Sequence, residues 1–279
     1  MNNRKKQHAV SLHQLQNGDP GTTLASPSEI ESLFRWYKPI LDTLVPKSVP
    51  CVVAGGHAVK SLARYSSKFS LRSGVSHVSD MDLFFESQAD RERVVDQIKF
   101  ATDWRMRLVY ATENSQCWKL NLKSEVKCDV DKFDIIKKFQ NFESLISQFD
   151  LSCCCLGIYK PVKSKLQDYR LLYNQAFIDS VTNRSIEILN DPPTNKRRTA
   201  IRLIKYMKRG FQYVSLKTLY KASNLMTEWY NENVFNSSGE IDIDKESDVK
   251  VLVSPTGNYP HVISGKQQSQ TNLTIDGLI

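Results

Sequence analysis

The stretch Pro50-Cys51-Val52-Val53-Ala54-Gly55-Gly56-His57 constrains this 279-residue chain more than any other. Four consecutive apolar residues leave no polar face, so they read as a short strand covered on both sides. Two glycines break the run, and His57 to Tyr65 resumes at helical spacing. A strand that passes through Gly-Gly into a helix implies layered α/β architecture. Absent side chains also let backbone N–H groups approach an anion at the helix N-terminus, where aligned peptide dipoles favour negative charge.

The flanking sequence extends this pattern. Residues 1–28 are polar, with a Gly18-Asp19-Pro20-Gly21 turn cluster, and read as a flexible arm. Ser28 and Glu31 form a capping-box pattern ahead of Ile30, Leu33, Phe34, Tyr37 and Leu41, which recur as one face of a helix. Met81 to Phe85, Met106 to Ala111, Cys117 to Leu122 and Val130 to Ile136 read as strands, the last two as a hairpin, with a charged helix over Gln88 to Phe100. Phe149 to Tyr159 is apolar on both faces. Beyond Pro161 the spacing predicts helices over Val162 to Leu189, Thr194 to Phe211 and Ser215 to Val234, followed by a polar tail over 236–279.

Ser79-Asp80-Met81-Asp82-Leu83-Phe84-Phe85 carries the clearest chemistry. Residues two apart on a strand project from one face, so Asp80 and Asp82 stand side by side while Met81 and Leu83 turn inward. Paired carboxylates repel, and Mg²⁺, which takes oxygen ligands, relieves that repulsion. A third carboxylate from a neighbouring strand completes a site for two ions about 3.5–4 Å apart, suited to in-line phosphoryl displacement. Asp134 is the choice for it, with Asp129 and Asp131 as competitors. An Asp-x-Asp by itself is common on exposed strand ends; a Gly-Gly phosphate seat some two dozen residues upstream is what gives this one meaning.

The strings VVAGGHAVKSL, SDMDLFF, FDII and FDLSCCC resemble the catalytic domain of the polymerase-beta-type nucleotidyltransferase superfamily, nearest its CCA-adding and poly(A) polymerase-like members. The resemblance covers about Pro50 to Tyr159. It implies a nucleotidyltransferase fold, with a small mixed sheet flanked by helices over residues 29–160, then an all-helical basic domain over 161–235. It further implies that Gly55 and Gly56 hold the triphosphate, that Asp80 and Asp82 bind Mg²⁺ or Mn²⁺, and that a carboxylate like Asp134 binds metal and activates the acceptor hydroxyl. Ser79, Lys60 and Arg64 are further candidates for the nucleotide site.

Charge points to the same partners. The chain carries 38 Lys and Arg against 30 Asp and Glu, and nine of the former against two of the latter lie between Asp191 and Tyr230. Within that segment Arg198, Arg202, Lys205 and Arg209 recur at helical spacing opposite an apolar stripe of Ala200, Ile201, Ile204, Met207 and Phe211. Such a stripe is either a solvated face or a rail for phosphates. Its resemblance to the Arg/Lys-bearing helix of CCA-adding members favours nucleotide binding by Arg198, Arg202 and Lys205. No run of about 18 apolar residues and no leader-like start is present, so the expectation is a cytoplasmic protein. The six cysteines lack metal-site spacing and read as buried thiols. The expected activity is transfer of a nucleoside monophosphate from an NTP to an acceptor hydroxyl, first of all an RNA 3′ end, with release of pyrophosphate. The alternatives are a protein or small-molecule acceptor, or an inactive nucleic-acid-binding scaffold on the same fold.

Overall fold

A computed structural model describes residues 7–11, 14, 24–71, 80–100, 105–112, 115–121, 132–136, 141–163, 165–190, 196–215, 217–218, 220–225, 249–253 and 260–264. Ser79, Asp129 and Asp131 lie outside the described residues, as do most of the proposed tail and the turn of the hairpin.

The first helix, α1 (Pro27–Leu44), buries Ile30, Leu33, Phe34, Tyr37, Ile40, Leu41 and Leu44. Its capping box sits two residues earlier than the sequence suggests. The Ser26 hydroxyl accepts from the Glu29 amide at 3.3 Å, and the Glu29 carboxylate accepts from the Ser26 amide at 2.7 Å. Pro27 explains the choice, because proline at the first helical position has its φ preset and lacks an N–H that would be unpaired there. Strand β2 (Cys51–Ala54) is buried throughout, and α2 (Gly56–Tyr65) follows it directly.

Among the described residues the main sheet contains eight strands. With β1 (Gln7–Ser11), β3 (Met81–Phe84), β4 (Arg105–Ala111), β5 (Ser115–Asn121), β6 (Lys132–Ile136), β7 (Leu156–Lys160) and β8 (Arg170–Asn174), their order is β1-β8-β7-β2-β3-β6-β5-β4. All neighbours are antiparallel except β3 and β6, so the sheet is mixed. Helices α3 (Gln88–Phe100), α4 (Phe142–Leu145), α5 (Gln175–Asn183) and α6 (Lys196–Lys208) complete the main elements. One contiguous core joins α1, α2, the central strands and the inner face of α6.

Two differences from the sequence reading concern the sheet's far side. Gln7–Ser11 lies inside the segment expected to be a flexible arm, yet it forms edge strand β1, with Val10 buried and the His8 ring stacked on Tyr173 at 5.7 Å. Residues 170–174 lie inside the run expected to be helical, yet they form β8. Leu171, Leu172, Tyr173 and Asn174 are all buried, so the segment lacks alternation, and pairing with β7 and β1 overrides its local helical tendency. Val249–Val253 (β11) and Pro260–Ser264 (β12) form an antiparallel pair where a polar tail was expected; β9 (Ser185–Ile186) and β10 (Gln212–Tyr213) form a short parallel pair.

Candidate active site

The turn from β2 into α2 is shaped by Gly55. Its φ of 78° and ψ of −143° fall where only glycine is comfortable, and a Cβ there would stand 3.3 Å from the Phe149 ring. The Gly55 amide is bonded to the Leu156 carbonyl at 2.9 Å, which fixes the turn to β7. No side chain caps the N-terminus of α2. Its first amides are therefore available to an anionic ligand.

The carboxylates meet beside this turn. Asp82 of β3 and Asp134 of β6 are register partners on adjacent parallel strands, and Asp80 precedes Asp82 by two residues at the exposed start of β3. Asp82 Oδ2 lies 4.0 Å from the position a Cβ on Gly55 would occupy, and Asp82 pairs with Ala54 at the end of β2, so the glycine turn and Asp82 lie side by side on neighbouring central strands. Burial, followed by the charges of Asp134 and Asp80, pushes the Asp82 carboxyl up to about 7, against the opposing pull of Lys205 and Arg202. Among the described residues no three His, Cys, Asp or Glu side chains stand in ligating geometry. The chemistry of the donor set nevertheless fits a hard divalent cation: Asp82 and Asp134 are register partners, the charge of Asp80 also reaches Asp82, and burial followed by these two charges disfavours the ionised form of Asp82, which a cation would restore.

Helix α6 closes the other side. Asp150, which is 9% exposed, accepts from Thr199 Oγ1 at 2.5 Å and from Arg202 Nη2 at 2.7 Å, both through Oδ2. Burial, with Arg209 second, holds the Lys205 ammonium below its usual range, while Cys154, Asp80 and Asp82 pull it back up. Arg209 is buried, with its guanidinium 4.9 Å from the Tyr206 ring centroid. The Tyr206 hydroxyl lies 3.7 Å from the Cβ position of Gly56. Of the basic stripe, Arg209 turns inward and Arg202 is clasped by Asp150, while Lys205 stays exposed with its charge acting on Asp82.

Of the residues singled out from sequence, Gly55, Gly56, Asp80, Asp82, Asp134, Arg202 and Lys205 come together. Arg198 belongs to α6, but its side chain lies outside the described residues. Lys60 and Arg64 stand on α2, Arg64 exposed in the last turn with its guanidinium 5.9 Å from the Tyr65 ring centroid. His57 is a core residue: its Nδ1 is 2.7 Å from the Tyr37 hydroxyl and its ring stacks on Trp36. Cys51, Cys117, Cys153, Cys154 and Cys155 are buried and form no disulfide with one another. Sequence reasoning overlooked Asp150, Phe149 and Tyr206. Asp150 did leave a signal, a lone carboxylate inside an otherwise apolar run.

The sequence of residues 28–184 matches the Gabija anti-defense 2 family. The chain belongs to that family. No curated protein matches it. Among solved structures, the fold resembles an apo CCA-adding enzyme at 16% identity and a TM-score of 0.46, over 82% of this chain and 48% of that one. It also resembles the Thermotoga maritima CCA-adding enzyme complexed with tRNA, at 14% identity and a TM-score of 0.45, over 83% and 48% of the two chains. A CCA-adding enzyme in complex with ATP gives 14% and 0.43, over 82% and 48%. The chain thus spans about half the length of these enzymes.

Proposed function

We propose that the chain is a metal-dependent nucleotidyltransferase, moving a nucleoside monophosphate from an NTP to an acceptor hydroxyl. The observation that carries this reading is the register pairing of Asp82 with Asp134 beside Gly55. Asp80, Asp82 and Asp134 would hold Mg²⁺ or Mn²⁺, which when bound neutralises the triphosphate and lowers the acceptor hydroxyl's pKa. The Gly56 amide and those that follow it at the start of α2 bind the β and γ phosphates, and Gly55, whose own amide is held by Leu156, supplies the open turn that admits them. Arg202 and Lys205 offset the charge of the departing pyrophosphate. The acceptor oxygen forms a bond to the α phosphorus as the bond from that phosphorus to the β-phosphate bridging oxygen breaks, and Asp134 attracts the acceptor's proton.

An RNA 3′ end is the acceptor implied by resemblance, and basic α6 was its main local support. With Arg202 clasped by Asp150 and Arg209 buried, that support is reduced. Family membership favours a second reading, in which the acceptor hydroxyl belongs to a component of the Gabija defence system.

The deciding experiment offers each labelled NTP, with Mg²⁺ or Mn²⁺, to a pool of RNA, to purified Gabija proteins and to small hydroxyl acceptors. Label should move to one acceptor class and vanish in Asp80→Ala and Asp82→Ala, each of which should still give a cooperative melt. Transfer retained by Asp82→Ala refutes the assignment. RNA binding that is indifferent to Mg²⁺ and NTP, with no transfer, identifies a scaffold instead.

A further inference from the structure

We propose that Asp150 is a positioning residue for nucleotide binding: by holding one amino group of Arg202, it directs the remaining donors of that guanidinium to the triphosphate at Gly55 and Gly56. This rests on the nucleotidyltransferase reading and extends it to a residue outside the carboxylate and glycine motifs.

Asp150 is itself firmly placed. Its backbone carbonyl accepts from Leu189 at 2.7 Å, and the one-turn 3₁₀ segment Ser152–Cys154 follows it, buried throughout. Its Oδ2 takes two donors from α6, one of them the hydroxyl of fully buried Thr199, so the helix is pinned at two successive turns. Arg202 is consequently divided. Nη2 is committed to Asp150, while Nε is buried and lacks an acceptor. A buried donor without a partner costs about 1–3 kcal/mol, a cost that a ligand oxygen would recover. The clasp stands beside the glycine turn: the ring of Phe149, the residue before Asp150, is 3.3 Å from the Cβ position of Gly55, and the hydroxyl of Tyr206, one turn beyond Arg202, is 3.7 Å from that of Gly56.

The clasp also has a protective consequence. Without Asp150, the guanidinium keeps the attraction that its charge already exerts on Asp82. Arg202 would then be drawn toward the carboxylates that a divalent cation must occupy. Asp150 thus keeps the cationic helix separate from the acid cluster, so that triphosphate and metal can enter together.

The test uses the full chain and inorganic tripolyphosphate with Mg²⁺ as the probe, read by thermal shift, for Asp150→Ala, Arg202→Ala and the double variant. Each single change should weaken tripolyphosphate binding by about tenfold, and the double variant should bind no worse than Arg202→Ala. In the same titrations Asp150→Ala should need more Mg²⁺ for half-maximal shift, and that extra demand should disappear when Arg202 is also Ala. A purely structural Asp150 would give additive losses, which overturns the proposal while leaving the nucleotidyltransferase reading intact. If Asp150→Ala fails to fold, Asp150→Asn decides: weaker binding that disappears in the Arg202→Ala background supports the clasp, and unaltered binding overturns it. Failure of the unaltered protein to bind tripolyphosphate overturns both readings.

Discussion

A carboxylate pressed against two others is stable only if something neutralises it. Asp82 illustrates the sign of the effect. Its ordinary value of 3.8 is raised to about 7 by burial, then by Asp134 and Asp80. The unfolded chain therefore loses this proton at a lower pH than the folded one, so the metal-free protein loses stability as pH rises from about 4 to about 7. Asp82→Asn should melt higher than the unaltered protein in chelator, with a gap that widens across that window and levels off above it, and added Mg²⁺ should narrow it. A gap indifferent to pH contradicts the crowding. Gly55 and Gly56 form a second contrast at this scale. Gly55→Ala forces a Cβ toward Phe149 at a φ that side chains avoid, and should cost about 1–3 kcal/mol in chemical denaturation. Gly56→Ala meets only the Tyr206 hydroxyl at 3.7 Å, so it should unfold near the unaltered midpoint while binding tripolyphosphate less tightly. Equal destabilisation by both changes would contradict the conformational argument.

At the scale of elements, patterns were legible where one period determined one face. The alternation in β3 put Asp80 and Asp82 together, and the apolar run before Gly-Gly gave a buried strand that leads directly into α2. In α6 the period gave the helix but not the destination of its charges. Periodicity separates two faces without saying which other elements pack against the polar one, and here Asp150 and the acid cluster do so. Strand β8 was hidden for the opposite reason, since burial on both faces erases alternation. The α1 cap shows a similar near miss, with two S-x-x-E patterns in succession and Pro27 selecting the first. Glu29 there also accepts from the Ser67 amide at 2.8 Å, tying the start of α1 to the end of α2. Hydrogen bonding from the Ser26 backbone, foremost, and from Ser67 holds its carboxyl down at about 2. A depressed carboxylate stabilises the fold above its unfolded value, and that contribution disappears as pH falls from about 4.5 to about 2. Glu29→Gln should therefore melt lower than the unaltered protein at neutral pH, with the difference closing through that acid window when followed by circular dichroism. A difference that persists at pH 2 places the effect in packing rather than charge.

For the whole molecule, the middle of the sheet and its edge have different duties. The candidate site is built on the central strands β2, β3 and β6, whereas β1 closes one edge beside β8. That closure joins distant parts of the chain: Gln7 to Ser11 pair with Asn174 to Arg170, and Gln7 Oε1 accepts from the Ile146 amide at 3.3 Å. Contacts so far apart in sequence carry a loop-closure cost and are expected to form late in folding, after the central strands have assembled. Removing residues 1–11 should consequently leave a folded core with a lower melting temperature, because Val10 and the His8–Tyr173 stack are lost. It should also bare the outer edge of β8, whose unpaired N–H and C=O groups can template pairing with a second molecule. Light scattering should then show association that grows with protein concentration, while Val10→Asp in the full chain should lower the melting temperature without association. Tripolyphosphate binding per folded molecule should be unchanged in both, since neither touches Gly55, Asp82 or α6. A truncated protein that melts with the full chain would assign β1 no part in stability, and one that loses tripolyphosphate binding would mean that the β1 edge and the central strands are coupled through β8 and β7.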